Sequence, residues 1–232
     1  MRKVLVVLLI LVVGGVIAAD RLGVRFAQNE IGRQVAAQYD LRQQPDVKIH
    51  GFPFLTQAIG GEYERIDVSI GDWSQSGITV KDVKVEMRGV GAPLSDVMAG
   101  NSNNVTVRTA TASAVVPYEV LQQRAPKEVR KIGPKGDDLQ VDMAGAIMGF
   151  PVTGSAVVSV KATRGGIVIT PVSAGSGAGQ IPLPLLRDRL AWTVPITNLP
   201  VGSRISQIQP TPEGLRVSAT ADNLKMSNLR GV

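Results

Sequence analysis

The chain has 232 residues, of which 44% are hydrophobic, only 4% are aromatic and none is cysteine, and its formal charge is +6. That length is enough to bury a real core, while the missing thiols exclude disulfides, thiolate metal sites and cysteine nucleophiles. A mild positive charge fits a solvated surface or weak attraction to anionic lipid headgroups or envelope polymers, and basic residues scattered without interleaved aromatics argue against nucleic acid as a partner.

The N-terminus reads "MRKVLVVLLILVVGGVIAADR". Arg2 and Lys3 form a short basic start, Val4 to Ala19 is apolar without a break, and Asp20 and Arg21 end the run. Two readings fit. Val16-Ile17-Ala18 places small or short apolar residues at the −3 and −1 positions of a secretory cleavage site. Alternatively the segment stays as a membrane anchor, although sixteen residues span only roughly 24 Å of a ~30 Å hydrocarbon core and Gly14-Gly15 loosens the helix. Residues 1–19 are therefore a signal peptide or an anchor, and 20–232 are read as one domain. Either way Arg2 and Lys3 hold the N-terminus inside, which puts the remainder in the cell envelope or periplasmic space, secreted or anchored.

From Val24 to Tyr39 the pattern is helical: Val24, Ala27, Ile31, Val35 and Tyr39 recur at three- and four-residue spacing. Gly32 weakens that helix by about 1 kcal/mol relative to Ala, and Pro45 prevents its continuation. The period then becomes two. Val47 alternates with Ile49, and Ile66, Val68 and Ile70 form one face of a strand. Ile78 and Val80 alternate, then Val83, Val85 and Met87 continue one residue out of phase, which predicts a β-bulge at Lys81-Asp82. Thr109 to Val115 is a further strand. "VPYEVLQQRAPKEVRK" predicts a short helix opened by Pro117 and stopped or kinked before Pro126. Leu139, Val141 and Met143 mark a strand, and "VVSVKATRGGIVITPV" a hairpin turning at 164–166. "SAGSGAGQ" is a flexible loop, "IPLPLLRDRLAW" a short helix, and "RISQIQPTPEGLRVSATA" a last hairpin turning at 212–214. The fold class is α+β: a long amphipathic helix packed in a strongly curved antiparallel β-sheet, with two short inserted helices.

Familiar chemistry lacks its residues. A triad could use only His50, the single histidine, which sits at a strand end and fits a hydrogen-bonded sheet-edge residue. "GSGAG" from Gly175 has its serine in the wrong place for a nucleophile elbow, and "GGEYERID" lacks the Lys-Ser/Thr of a phosphate loop. Asp137-Asp138 and Glu62/Glu64 are the close acid pairs, in solvated turn or strand-start contexts. No catalytic residue, metal or cofactor is expected. A trough rich in Val, Ile, Leu and Met suits an apolar ligand instead, since each buried methylene contributes about 0.8 kcal/mol and methionine adapts to irregular chains. Met98, Met143 and Met148 are candidates for its lining.

"HGFPFLTQ" concentrates two of four Phe, a Pro and the only His in eight residues. With the following "AIGGEYERIDVSI" it resembles the signature of the LmeA-like phospholipid-binding proteins of actinobacteria. "GAPLSDVMAG" is similar to that family's Pro-Leu-Ser-Asp segment, and "TNLPVGSRISQIQPTPEGLRVSATADNL" to its C-terminal hairpin. The resemblance runs from the leader to about Leu224, with the segment from Lys127 to Gln180 similar only in pattern. It implies a fold like the tubular lipid-binding proteins, a phospholipid ligand, work at a membrane surface alongside envelope lipid or lipoglycan machinery, and no catalytic residues. The expected lipid-lining residues are Ile31, Val35, Phe52, Phe54, Leu55, Met98, Leu121, Met143, Met148 and Phe150. One Phe ring of the signature is expected to plug the apolar space between helix and sheet, with Thr56 and Gln57 satisfying backbone groups beside it. A non-catalytic envelope scaffold with a filled core, or a carboxylate-dependent envelope hydrolase, are the alternatives.

Overall fold

A computed structural model of the chain describes residues 2–75, 77–93, 95–96, 99, 101, 103–147, 150–163, 166–175, 183–195 and 202–229. Helix α1, Arg2–Gln38, is one continuous element of 37 residues. The helix runs through Gly14-Gly15, the pair expected to loosen it, and open space surrounds each. Leader and amphipathic helix are thus one rod of roughly 55 Å. Its two halves differ. Val4 to Val13, Val16 and Ile17 are exposed, whereas Asp20, Val24 and Gly32 are buried on one side. Gly32 has a packing reason to be glycine. A Cβ there would sit 2.8 Å from Gln44 Nε2 and 3.0 Å from the Pro45 carbonyl, so the chain leaving α1 folds back against it.

The elements that follow are β1 (Asp46–His50), α2 (Phe54–Gly60), β2 (Glu62–Gln75), β3 (Ile78–Gly91), β4 (Thr106–Val116) and α3 (Tyr118–Gln123). Then come β5 (Val129–Lys135), β6 (Asp138–Ile147), β7 (Phe150–Thr163), β8 (Gly166–Ala174), α4 (Leu183–Leu190), β9 (Trp192–Pro195), β10 (Arg204–Thr211) and β11 (Gly214–Lys225), with a 3₁₀ turn at Met226–Leu229. One sheet has the order β1-β2-β3-β4-β11-β10, and the other β5-β6-β7-β8-β9. The pairings β1–β2, β10–β11 and all four in the second sheet are antiparallel. The fold is α+β and mostly strands, with a long N-terminal helix and a few short ones.

The chain divides into two compact units that share strands. The first comprises residues 1–70, 84–111 and 221–232. Its core joins Val24 of α1 to Val47 and Ile49 of β1, Phe54 and Ala58 of α2, Tyr63, Ile66 and Val68 of β2, Val90 of β3 and Val107 of β4, with Ala27 and Ile31 packed alongside. The alternation expected of Ile66 and Val68 is the alternation that faces this core. The second unit comprises 71–83 and 112–220. Its core takes Leu121 from α3, Leu139, Val141 and Met143 from β6, Ala156 and Val158 from β7, Ile167 and Ile169 from β8, Leu190 from α4 and Leu215 from β11.

At Lys81-Asp82, where a bulge is expected, Asp82 takes a left-handed φ of +49° within β3. Two elements differ from expectation. Within "KEVRK", Lys127 and Glu128 form a turn and Val129–Lys131 open strand β5, so the helix stops before Pro126 and does not continue past a kink. A register shift between Val129 and Lys131 places Val129 and Ile132 on one buried face three residues apart, which hides the strand period. Pro134 fits there because β5 is an edge strand. The short helix α2 is additional to the two expected at α3 and α4. Thr163 pairs with Gly166 and Thr211 with Gly214, as the two hairpin readings require. Residues 164–165 and 176–180 of the predicted turn and loop lie outside the described residues.

Candidate lipid-contacting site

The signature segment joins β1 to α2 and β2. β1 ends at His50, Gly51 takes φ +100°, the Phe52–Pro53 peptide is cis, and α2 begins at Phe54. Pro53 offers no side-chain cap to α2. The cap comes from α1 instead: the Leu55 N–H donates to Asp20 Oδ1 at 2.8 Å. Asp20 is 1% exposed, so this carboxylate is spent inside the first unit, where a helix N-terminus favours an anion. Gln57 fixes the other side. Its Nε2 donates to the His50 carbonyl at 3.2 Å, and its Oε1 accepts the Glu64 N–H at 2.9 Å. A Cβ on residue 51 would lie 2.5 Å from Gln57 Nε2, so glycine is needed both for φ and for room.

The two phenylalanines diverge. Phe54 is 6% exposed, and its ring centroid lies 6.3 Å from that of Tyr63, whose phenol burial pushes above its ordinary range. Phe54 is the ring that closes the helix–sheet core. Phe52 is 58% exposed, with the Arg21 guanidinium 4.9 Å above its centroid. Leu55 is partly exposed beside Gly23 of α1.

The structure brings Ile31, Phe52, Phe54 and Leu55 into the first unit around α1 and α2; Val35 is half-buried farther along α1. Leu121 and Met143 are not with them: both are fully enclosed in the core of the second unit. Met98 and Met148 lie outside the described residues, and Phe150 is placed only as the first residue of β7.

His50 has a partner that its spacing did not reveal. Arg65 Nη2 donates to His50 Nδ1 at 3.0 Å, and His50 Nε2 meets Asp67 Oδ2 at 2.7 Å. A ring nitrogen that accepts from a guanidinium is not free to take a proton from a nucleophile. This cluster ties the end of edge strand β1 to β2, where His50 is registered against Arg65.

Beside the signature, an open groove of about 820 Å³ runs over one end of β2, β3, β4 and β11, all within the first unit. Alternation along β4 sends Val107 into the core and leaves Thr106 and Arg108 on the groove side. Arg88, Arg108 and Lys225 line it, with Glu62, Glu64 and Phe52. Arg88 is held by Glu86 at 2.6 Å, while Arg108 makes no hydrogen bond or ion pair among the described residues. Gly89, at φ +59°, lies directly under Arg108: a Cβ there would come within 3.0 Å of its Cβ and 3.1 Å of its Nε. Such a guanidinium, in a groove it shares with Arg88 and Lys225 and with the carboxylates of Glu62 and Glu64, can bind a phosphate through two parallel N–H donors. The groove residues come from segments far apart in the sequence, so no local motif announces them.

A comparison with known families decides what this arrangement belongs to: the LmeA-like phospholipid-binding family matches residues 18–220. The chain belongs to that family. No curated protein and no solved structure matches it. Both the signature segment and the groove of this LmeA-like chain fall within the matched residues, apart from the β11 contribution of Asn223, Leu224 and Lys225.

Proposed function

We propose that this protein is a non-catalytic, extracytoplasmic phospholipid-binding protein that holds acyl chains against apolar side chains between α1 and the sheet of the first unit. The family match over residues 18–220 carries this reading. The groove supplies what a phospholipid needs at its polar end, namely an uncommitted guanidinium at Arg108 with Arg88 and Lys225 nearby. Phe52 and Leu55, both exposed at the same corner, are the first acyl contacts, with Phe54, Ile31 and Val35 deeper along the helix. The protein works at the outer face of a membrane, supporting envelope lipid or lipoglycan construction or lipid transfer. The basic start and the apolar half of α1 support that location.

The test is native mass spectrometry of the full chain after exposure to anionic liposomes. The expected spectrum shows an adduct of one phospholipid mass, lost at least several-fold in Arg108→Ala with the circular dichroism unchanged. A clean apo mass for the wild-type chain would sink phospholipid binding and favour the scaffold reading, to which the filled core of the second unit lends itself. Equal uptake by wild type and Arg108→Ala would remove the groove from the headgroup role.

A further inference from the structure

The apolar run of α1 ends at Ala19 in the sequence, but its apolar outer side does not end there in the structure. Asp20, the residue that closes the run, is turned inward and covered by the first turn of α2. Leu22 and Phe26, one helical turn apart, are 66% and 70% exposed. From Val4 to Phe26 the exposed apolar side chains, with Arg21 and Arg25 among the last of them, therefore reach roughly 34 Å, against a ~30 Å hydrocarbon core that the sixteen-residue run alone falls short of.

Helix α2 sits at the level where that side ends. Asp20 caps it, Arg21 covers Phe52, and the Leu55 side chain lies 3.6 Å from the Cβ position of Gly23. Phe52 is 58% exposed and Ile59 is 82% exposed. Two elements fixed together at Asp20–Leu55 and Gly23–Leu55 thus expose Leu22, Phe26, Phe52 and Ile59, with Arg21 and Arg25 interspersed. An aromatic ring, long aliphatics and basic side chains with room to reach outward are what a headgroup zone accepts.

We propose that α2 and the turn of α1 beneath it form a membrane seat: α1 crosses the bilayer, and Phe52 and Ile59 insert into the phospholipid interface around its exit point. The occupant is a lipid surface because the patch follows directly on a helix long and apolar enough to span one, with only Arg21 and Arg25 set among its apolar side chains. Its cations also match anionic headgroups. The seat does not depend on the groove binding a headgroup. Phe52 belongs to both, however, so the groove would open beside the bilayer.

The absence of native cysteine allows clean single-site labelling. Phe52→Cys, Ile59→Cys and Asp46→Cys would each carry an environment-sensitive fluorophore, in the full chain reconstituted into vesicles of phosphatidylglycerol and phosphatidylcholine. Asp46 is the reference. It follows the Gln44–Pro45 segment that packs on Gly32, twelve residues and about 18 Å farther along α1 than Asp20. The expected result is a blue shift at 52 and 59 together with quenching by nitroxide-labelled lipid, and neither at 46. Water-like emission at 52 and 59, or loss of the chain from the vesicles, overturns the proposal. A blue shift without lipid quenching overturns it too, since the cover would then be protein. Both positions are exposed, so the substitutions leave the core intact.

Discussion

The two units bury their apolar residues to different degrees. In the second, Leu121, Leu139, Val141, Ala156, Val158, Ile169, Leu190 and Leu215 are all 0% exposed. In the first, Val107 is 1% exposed but Val47, Ile49, Phe54, Tyr63, Ile66 and Val68 keep 5–8%, a level that Tyr118 and Trp192 reach at the margin of the second core. Among the described residues the outer side of the first unit shows Phe26, Phe52 and Ile59, whereas those of the second unit show Ile78 and Val172 as large exposed apolar residues, each 38% exposed. Over its described residues the second unit therefore has the character of a closed scaffold. The first has apolar surface left over and, beside it, a groove in which Arg108 has no partner among the described residues, and the family signature lies there. A soluble surface rarely concentrates aromatic and aliphatic exposure at one corner without a partner.

The sharpest way to break this contrast is to empty a site in the closed core. Leu139→Ala should cost about 3–5 kcal/mol in chemical denaturation while lipid uptake by the remaining folded protein stays normal. If uptake falls in parallel with no loss of stability, the second unit is not merely a scaffold. Next comes the pair of signature phenylalanines. Phe54→Ala removes a ring from the first core and should destabilise by about 3 kcal/mol. Phe52→Ala should stay within about 0.5 kcal/mol of wild type yet weaken association with anionic vesicles. Equal stability losses in the two variants would show that exposure does not separate their roles. The smallest effect concerns the tie between α1 and α2. Asp20→Ala should cost about 1 kcal/mol by leaving the Leu55 N–H without its cap, and Asp20→Asn, which keeps an acceptor, should recover most of it. Hydrogen exchange at Leu55 reads that loss directly.

Much of the fold was legible because strand periods are local. Leu139, Val141 and Met143 alternate in the sequence and all face one core. The phase slip at Lys81-Asp82 appears as a left-handed residue within β3. β5 was not legible, since its register shift and Pro134 erase the two-residue period. α2 was not either: seven residues are too few to display a helical repeat, and its N-terminal cap lies 35 positions earlier in the chain. His50 was correctly placed at a sheet edge, but its partners Arg65 and Asp67 follow only from the β1–β2 register.

Chemistry by residue type, the apolar leader, the strand alternation and the family signature are properties of composition and of neighbours along the chain, and these were readable without coordinates. Three features were not. One is which signature phenylalanine is buried, another is that Asp20 turns inward and lengthens the apolar side of α1, and the third is that Arg108 lies uncommitted over Gly89. Each depends on contacts between residues distant in sequence, where the free energy comes from burying one group against another. A linear pattern carries no record of that pairing.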